Sequence, residues 1–224
     1  MLILRPMPSL ILGNSDEDTL EPNPQVTDFS GWFSGVLNYA ASAYAEMERF
    51  LKQVMPDLQD IKKPVSGKDA GHLVIQFSSD KSTATFPSEE HAQNGARRET
   101  VPNTLGGARR TLCAFEDLSD GEKCFMICAL VVAANARYGP VFCFWDEPDN
   151  YLALSEVGHL VLALRKAFQS AGQFIATSHN PQVIRSFSED NTFVLYRNSH
   201  IEPTQVRPLK DVGVHALTRD DLDL

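Results

Sequence analysis

The sequence predicts an α/β fold with a largely parallel sheet flanked by helices. Two observations carry this. Helical apolar periods alternate with short β-rich runs between residues 115 and 200, and two of those runs stop abruptly at polar residues, DE at 146–147 and SHN at 178–180. Strand ends of that kind are where ligands bind in open parallel sheets. With 43% hydrophobic and 22% charged residues over 224 positions, the chain has the composition to bury a sizeable core.

The first residues, MLILRPMPSLILG, read as a strand and a turn, because Pro6 and Pro8 interrupt the apolar run too early for a secretory leader. Phe29, Trp32, Phe33, Val36, Leu37, Ala40, Tyr44, Met47, Phe50, Leu51 and Val54 recur at steps of three and four. That spacing predicts one long amphipathic helix over 28–55, or two in line, capped by Asp28 and stopped by Pro56. HLVIQFSSDKSTATF (72–86) predicts a hairpin turning at SSDKS, and residues 87–111, polar and rich in Gly, Arg and Pro, read as a loop or insertion. The resulting organisation is a helix-plus-hairpin region over 1–86, a polar loop or insertion over 87–114, the α/β part over 115–200 and a terminal strand and tail over 201–224.

Within 115–200 a helix is predicted from Glu122 to Arg137, ending before Gly139-Pro140. VFCFW (141–145) then reads as a strand buried on both faces. Ser155 is placed to cap a helix whose Val157, Leu160, Val161, Leu164 and Phe168 share one side, and Gly172 to end it. FIATS (174–178) is the next strand, a short helix starts at Pro181, and TFVLYRN is the last strand of this part.

Acidic residues outnumber basic ones, 29 to 20, for a formal charge of −9. That balance argues against nucleic-acid binding through overall charge, and Arg97, Arg98, Arg109 and Arg110 form the one notable basic cluster. No run approaches the ~18 apolar residues needed to cross a bilayer. A cytoplasmic location is therefore expected, with Cys113, Cys124, Cys128 and Cys143 as buried free thiols rather than disulfide or zinc partners.

Three places can carry chemistry. Asp146 and Glu147 directly follow an apolar strand, and such a pair can divide hydrolysis between them, one carboxylate serving a hydrated Mg²⁺ and the other the attacking water. His179 follows the next strand and can hydrogen-bond a phosphate oxygen or that water. LSDGEK (118–123) is a capping box, Ser119 with Glu122, opening an apolar helix. Its first turn also points backbone N–H groups outward, with Gly121 allowing close approach, as an anion site requires.

Taken in order, FEDLSDGEK, VFCFWDEPDNYL and ATSHNPQVI resemble the C-terminal lobe of ABC-type ATPases of the SMC/RecF class, most nearly the RecF-like, AAA-labelled ATPases related to the overcoming-lysogenization-defect group. The resemblance covers residues 115–197 and implies a P-loop NTPase-like fold. By position it implies that Ser119, Asp120, Gly121 and Glu122 form a signature motif facing the γ-phosphate of ATP in an opposite subunit, with Asp120 where many members have glycine. Asp146 would then serve Mg²⁺ at the end of a Walker B strand, Glu147 would polarise water, and His179 would be the switch histidine. Asp149 and Asn150 would lie in the loop that crosses a dimer interface.

One departure is large. No G-x-x-x-x-G-K-[ST] occurs in the 224 residues, so the backbone cradle and lysine that hold β- and γ-phosphates are lacking. The expectation is an ATPase component, hydrolysing ATP with Mg²⁺ when a P-loop lobe is supplied, as a homodimer or with a partner lobe. The chain would be a split or truncated half, a subunit or a degenerate relative. DNA maintenance or defence is implied by the resemblance alone. The competing reading is an ATPase-fold binding or scaffold module without catalysis.

Overall fold

A computed structural model describes residues 1–65, 71–79, 99–101, 109–187 and 189–212. The chain divides into two compact units, Met1–Thr177 and Ser178–Leu224. In order, the first contains β1 (Leu2–Leu4), α1 (Phe29–Tyr39), α2 (Ala43–Val54), β2 (Leu58–Lys62), β3 (Val74–Ser79), β4 (Glu99–Val101), β5 (Arg109–Ala114), α3 (Asp120–Arg137), β6 (Phe142–Asp146), α4 (Leu154–Ala167) and β7 (Gln173–Thr177). The second contains α5 (Pro181–Ser186), β8 (Phe193–Tyr196), β9 (Gln205–Pro208) and α6 (Leu209–Val212).

The fold is mixed α/β. A parallel sheet of order β1-β6-β7 and an antiparallel sheet of order β2-β3-β5-β4 share the first unit, and helices flank the parallel one. Helix α3 is its centre. Nearly every residue from Lys123 to Asn135 is buried, as expected of a helix that is apolar on most sides. It packs against α2 through an edge-to-face contact of Phe50 with Phe125, and the preceding turn is fixed by Phe115 stacked on Phe29 of α1 at 4.8 Å. Leu2, Leu4, Cys143 and Trp145 from the parallel sheet join the same core.

A buried amide sets the height of β6 beside α3. Asn135 Nδ2 donates to the carbonyls of Ala167 and Ala171 at 2.9 and 3.0 Å, while its Oδ1 accepts from Val141 N–H at 2.8 Å. Gly172 makes room for this amide: at φ +78° a Cβ here would lie 2.3 Å from Asn135 Oδ1. Glycine is required both by the backbone angle and by the space.

Several expectations need correction. Of the two readings of 28–55, two helices are found and not one, since Ala40 leaves α1 in an extended conformation. Asp28 precedes α1 without capping it; its carboxylate accepts the Asn23 N–H instead. Of the stretch read as a hairpin, Val74–Ser79 is β3, which pairs antiparallel with β2 on one edge and β5 on the other. Residues 82–86 themselves lie outside the described set, as do most of 87–108 with Arg97 and Arg98. The stretch 87–111 is not all loop: Glu99–Val101 and Arg109–Ala114 form an antiparallel pair. Ala153, not Ser155, stands at the N-cap of α4, where Glu156 Oε2 accepts the Ala153 N–H at 2.9 Å.

Two corrections concern the parallel sheet. Strand β6 is buried on one side only: Cys143 and Trp145 are fully covered, whereas Phe142 is exposed and Phe144 half-buried. Strand β8 does not extend this sheet but pairs antiparallel with β9 in the second unit. There Arg207 lies over the Tyr196 ring, Lys210 pairs with Asp190, and Leu209 N–H donates to the Thr192 carbonyl. The third parallel strand is β1, from the far end of the chain. All four cysteines are buried free thiols. Among the described residues no helix is long and apolar enough to cross a membrane.

Candidate functional site

Strand β6 delivers its last residues to a polar edge. Its apolar FCFW alternates into the core until Asp146, and the parallel register, Leu4 opposite Trp145 and Asp146 opposite Thr177, brings three strand ends together. Carboxyl ends of parallel strands are the ligand-binding edge of such sheets. Gathered there are Arg5, Asp146, Glu147 and Thr177.

The Thr177 hydroxyl organises both acidic residues. It donates to Asp146 Oδ1 at 2.5 Å and accepts the Glu147 N–H at 3.0 Å. To direct that N–H at Thr177 the chain turns sharply after β6: Glu147 has φ +49°, one of two non-glycine residues with positive φ among the described residues. A side chain in the left-handed region costs on the order of 1 kcal/mol. The loop returns support, since Asn150 Nδ2 donates to Glu147 Oε2 and Asn150 N–H to the Glu147 carbonyl. Arg5 places Nε 3.5 Å from Asp146 Oδ2.

The second feature is the first turn of α3. Ser119 Oγ accepts the Glu122 N–H at 3.3 Å, and Glu122 Oε2 accepts from the Ser119 N–H and hydroxyl at 2.7 and 2.8 Å. The predicted capping box is therefore formed. Asp120 is exposed beside it. Gly121 allows close approach, and what approaches in this unit is the loop after β6: a Cβ on Gly121 would sit 3.1 Å from the Tyr151 carbonyl oxygen. Two residues on, Lys123 is buried and donates from Nζ to the Pro8 carbonyl at 3.1 Å, tying the N-terminal turn to α3.

The structure thus brings Asp146 and Glu147 into one hydrogen-bonded group, and sets Ser119–Glu122 against the loop that carries Asp149 and Asn150. Those two loop residues differ. Asn150 is exposed, whereas Asp149 is 7% exposed and its Oδ1 is buried without a hydrogen-bond partner among the described residues. His179, in the second unit, is an exposed residue ahead of Asn180, which caps α5 by accepting the Gln182 N–H at 2.9 Å.

Reading the sequence missed Thr177 and Arg5. Thr177 stands within ATSHNP, and its place opposite Asp146 follows once two neighbouring strands are aligned by their ends. Arg5 carries no such signal, because nothing local shows that the first strand lies beside the sixth. The donor chemistry suits Mg²⁺, which needs only one or two carboxylates with water and phosphate oxygens completing its shell. Asp146 is a partly exposed carboxylate held by a hydroxyl, with Glu147 next to it. Among the described residues no three His, Cys, Asp or Glu side chains cluster as a metal cage.

No family model matches this sequence, and no curated protein matches it.

Proposed function

We propose that the chain is an ATP-binding and ATP-hydrolysing component of the ABC type, RecF-like, that contributes Walker B, signature and switch residues to a composite site completed by a P-loop lobe from another polypeptide. One observation carries this reading. Glu147 is held in a costly backbone conformation directly after an apolar strand, by the same hydroxyl that holds Asp146. Strain of that kind, where the surroundings over-determine it, is characteristic of functional positions.

Each residue then has a physical role. Asp146, oriented through Oδ1 by Thr177, is the Mg²⁺ carboxylate. Bound Mg²⁺ would supply charge neutralisation at the β- and γ-phosphates. Glu147, steadied by Asn150, would orient and polarise the attacking water. The first turn of α3 offers the Asp120 and Gly121 amides, which take no part in the capping box, to a phosphate held across an interface. His179, as the switch residue, would hydrogen-bond the γ-phosphate, and Asp149 and Asn150 lie in the loop that would meet the other lobe. ATP and that lobe, or a second copy, are the implied partners; a DNA-linked role rests on resemblance alone.

Steady-state ATP turnover tests the reading, using the chain alone and mixed with any P-loop protein encoded beside it. The expected result is turnover in the mixture that falls at least ~10²-fold on Glu147→Gln. Absence of turnover in both, or turnover indifferent to Glu147→Gln, overturns it.

A second reading, an ATPase-fold binding module, is favoured by one specific feature. The side of the parallel sheet turned away from the core carries Ile3, Phe142 and Ile175 at 45%, 37% and 42% exposure, and parallel sheets normally have both faces covered. That reading predicts partner capture that survives Asp146→Ala and no nucleotide heat in calorimetry.

A further inference from the structure

We propose that Arg5 is a phosphate-binding residue of the β6 edge, and that it competes with a divalent cation for Asp146 Oδ2. This rests on the reading of that edge as a Mg²⁺ and phosphate site. The placement comes from register. The register of β1, Leu2 to Leu4 opposite Cys143 to Trp145, carried one residue further places the residue after Leu4 beside the residue after Trp145, on the side of the sheet that Ile3 and Phe144 share. The backbone of Arg5 is anchored there. Its N–H donates to the Pro24 carbonyl at 2.7 Å, and the buried Pro6 restricts the next turn of the chain. Only the side chain, 78% exposed, is at liberty to reorient.

Asp146 has one oxygen to share. Thr177 occupies Oδ1 at 2.5 Å, which leaves Oδ2 to Arg5 at 3.5 Å. That distance is longer than a charge-assisted hydrogen bond, and exposed ion pairs of this kind contribute little to stability. A planar guanidinium suits a bidentate carboxylate or phosphate, and a 3.5 Å approach of Nε to Asp146 Oδ2 leaves that capacity poorly used. The surrounding edge is otherwise acidic, with Glu147 adjacent, and the sequence has no phosphate-loop lysine. Arg5 is the cation that the fold sets beside Asp146. Once it yields Oδ2 to a divalent ion, its guanidinium remains on an anchored backbone, within reach of whatever phosphate that ion holds.

The test uses the full chain with two probes, Mn²⁺ alone by electron paramagnetic resonance and tripolyphosphate with Mg²⁺ by calorimetry. Competition predicts opposite signs. Arg5→Gln should bind Mn²⁺ about three-fold more tightly, because the rival cation is gone, and Mg²⁺-tripolyphosphate about ten-fold more weakly, because a charge-assisted phosphate contact is lost. Arg5→Lys should recover part of the phosphate affinity. Asp146→Asn should abolish Mn²⁺ binding. Both affinities unchanged by Arg5→Gln, only one changed, or both moved in the same direction overturn the proposal, as does an unaltered chain that binds neither probe. If Mn²⁺ binding is lost in Asp146→Asn but indifferent to Arg5, the metal edge stands and the role of Arg5 falls. Neither probe requires turnover, so the result is separate from the Glu147→Gln assay.

Discussion

The first turn of α3 and the carboxyl end of β6 both offer polar groups at the end of an apolar element, and they are built in opposite ways. At α3, Ser119 and Glu122 satisfy one another across three residues, and the acidic first turn already complements the helix dipole. At β6, Glu147 and Asp146 depend on Thr177, some thirty positions away, and on Arg5 from the other end of the chain. The helix end is closed upon itself, its Ser119 and Glu122 side chains each satisfied by the other residue. The strand end is held by distant partners, and its strained residue is half-buried. Local self-sufficiency gives a stable cap; assembly from distant pieces gives a site.

Four measurements would break or sharpen this contrast. The largest effect acts on the core beneath both ends. Burial pushes the thiols of Cys124 on α3 and Cys143 on β6 up to about 12, from an ordinary 9.0, and raises Cys128 as well. The folded chain therefore keeps these protons at a pH where the unfolded chain has released them, so stability is full below pH ~9 and falls as pH rises beyond it. Unfolding free energies from urea titrations at pH 8 and 10 should differ by about 1 kcal/mol for each of Cys124 and Cys143, seen as a lower midpoint at pH 10. An unchanged midpoint would contradict their burial.

Next is Thr177→Val, which removes one hydroxyl and deprives both Asp146 Oδ1 and the Glu147 amide of their partner. A loss of about 2 kcal/mol in chemical denaturation is expected. Ser119→Ala breaks the cap alone and should cost about 1 kcal/mol, with Ser119→Gly costing only a few tenths. If Ser119→Ala cost more than Thr177→Val, the strand end would be the weaker assembly. Smallest is Glu147→Gly, which should raise stability by about 0.5 kcal/mol by relieving the left-handed backbone, partly offset by the lost Asn150 contact. A destabilised Glu147→Gly would mean that the conformation carries no strain.

Side-chain period and chain punctuation determined much of this protein before any tertiary contact was considered. The capping box at Ser119 and Glu122, the extent of α3, the strand read over 141–145 and found at Phe142–Asp146, and the Pro181 helix all depend on residues a few positions apart, and interactions of that range are written in order along the chain. Tertiary structure decided the rest. Which strands are neighbours is such a case: β1 beside β6, β8 paired with β9 rather than with β7, and β3 flanked by β2 and β5. So are the shift of the α4 cap to Ala153, the single buried side of β6, and the convergence of Arg5 and Thr177 on Asp146. An unpaired strand edge accepts any strand of compatible length, and only the competition of every burial and hydrogen bond in the folded chain selects one. The acidic pair was therefore legible, whereas the hydroxyl and the guanidinium that hold it belong to the fold.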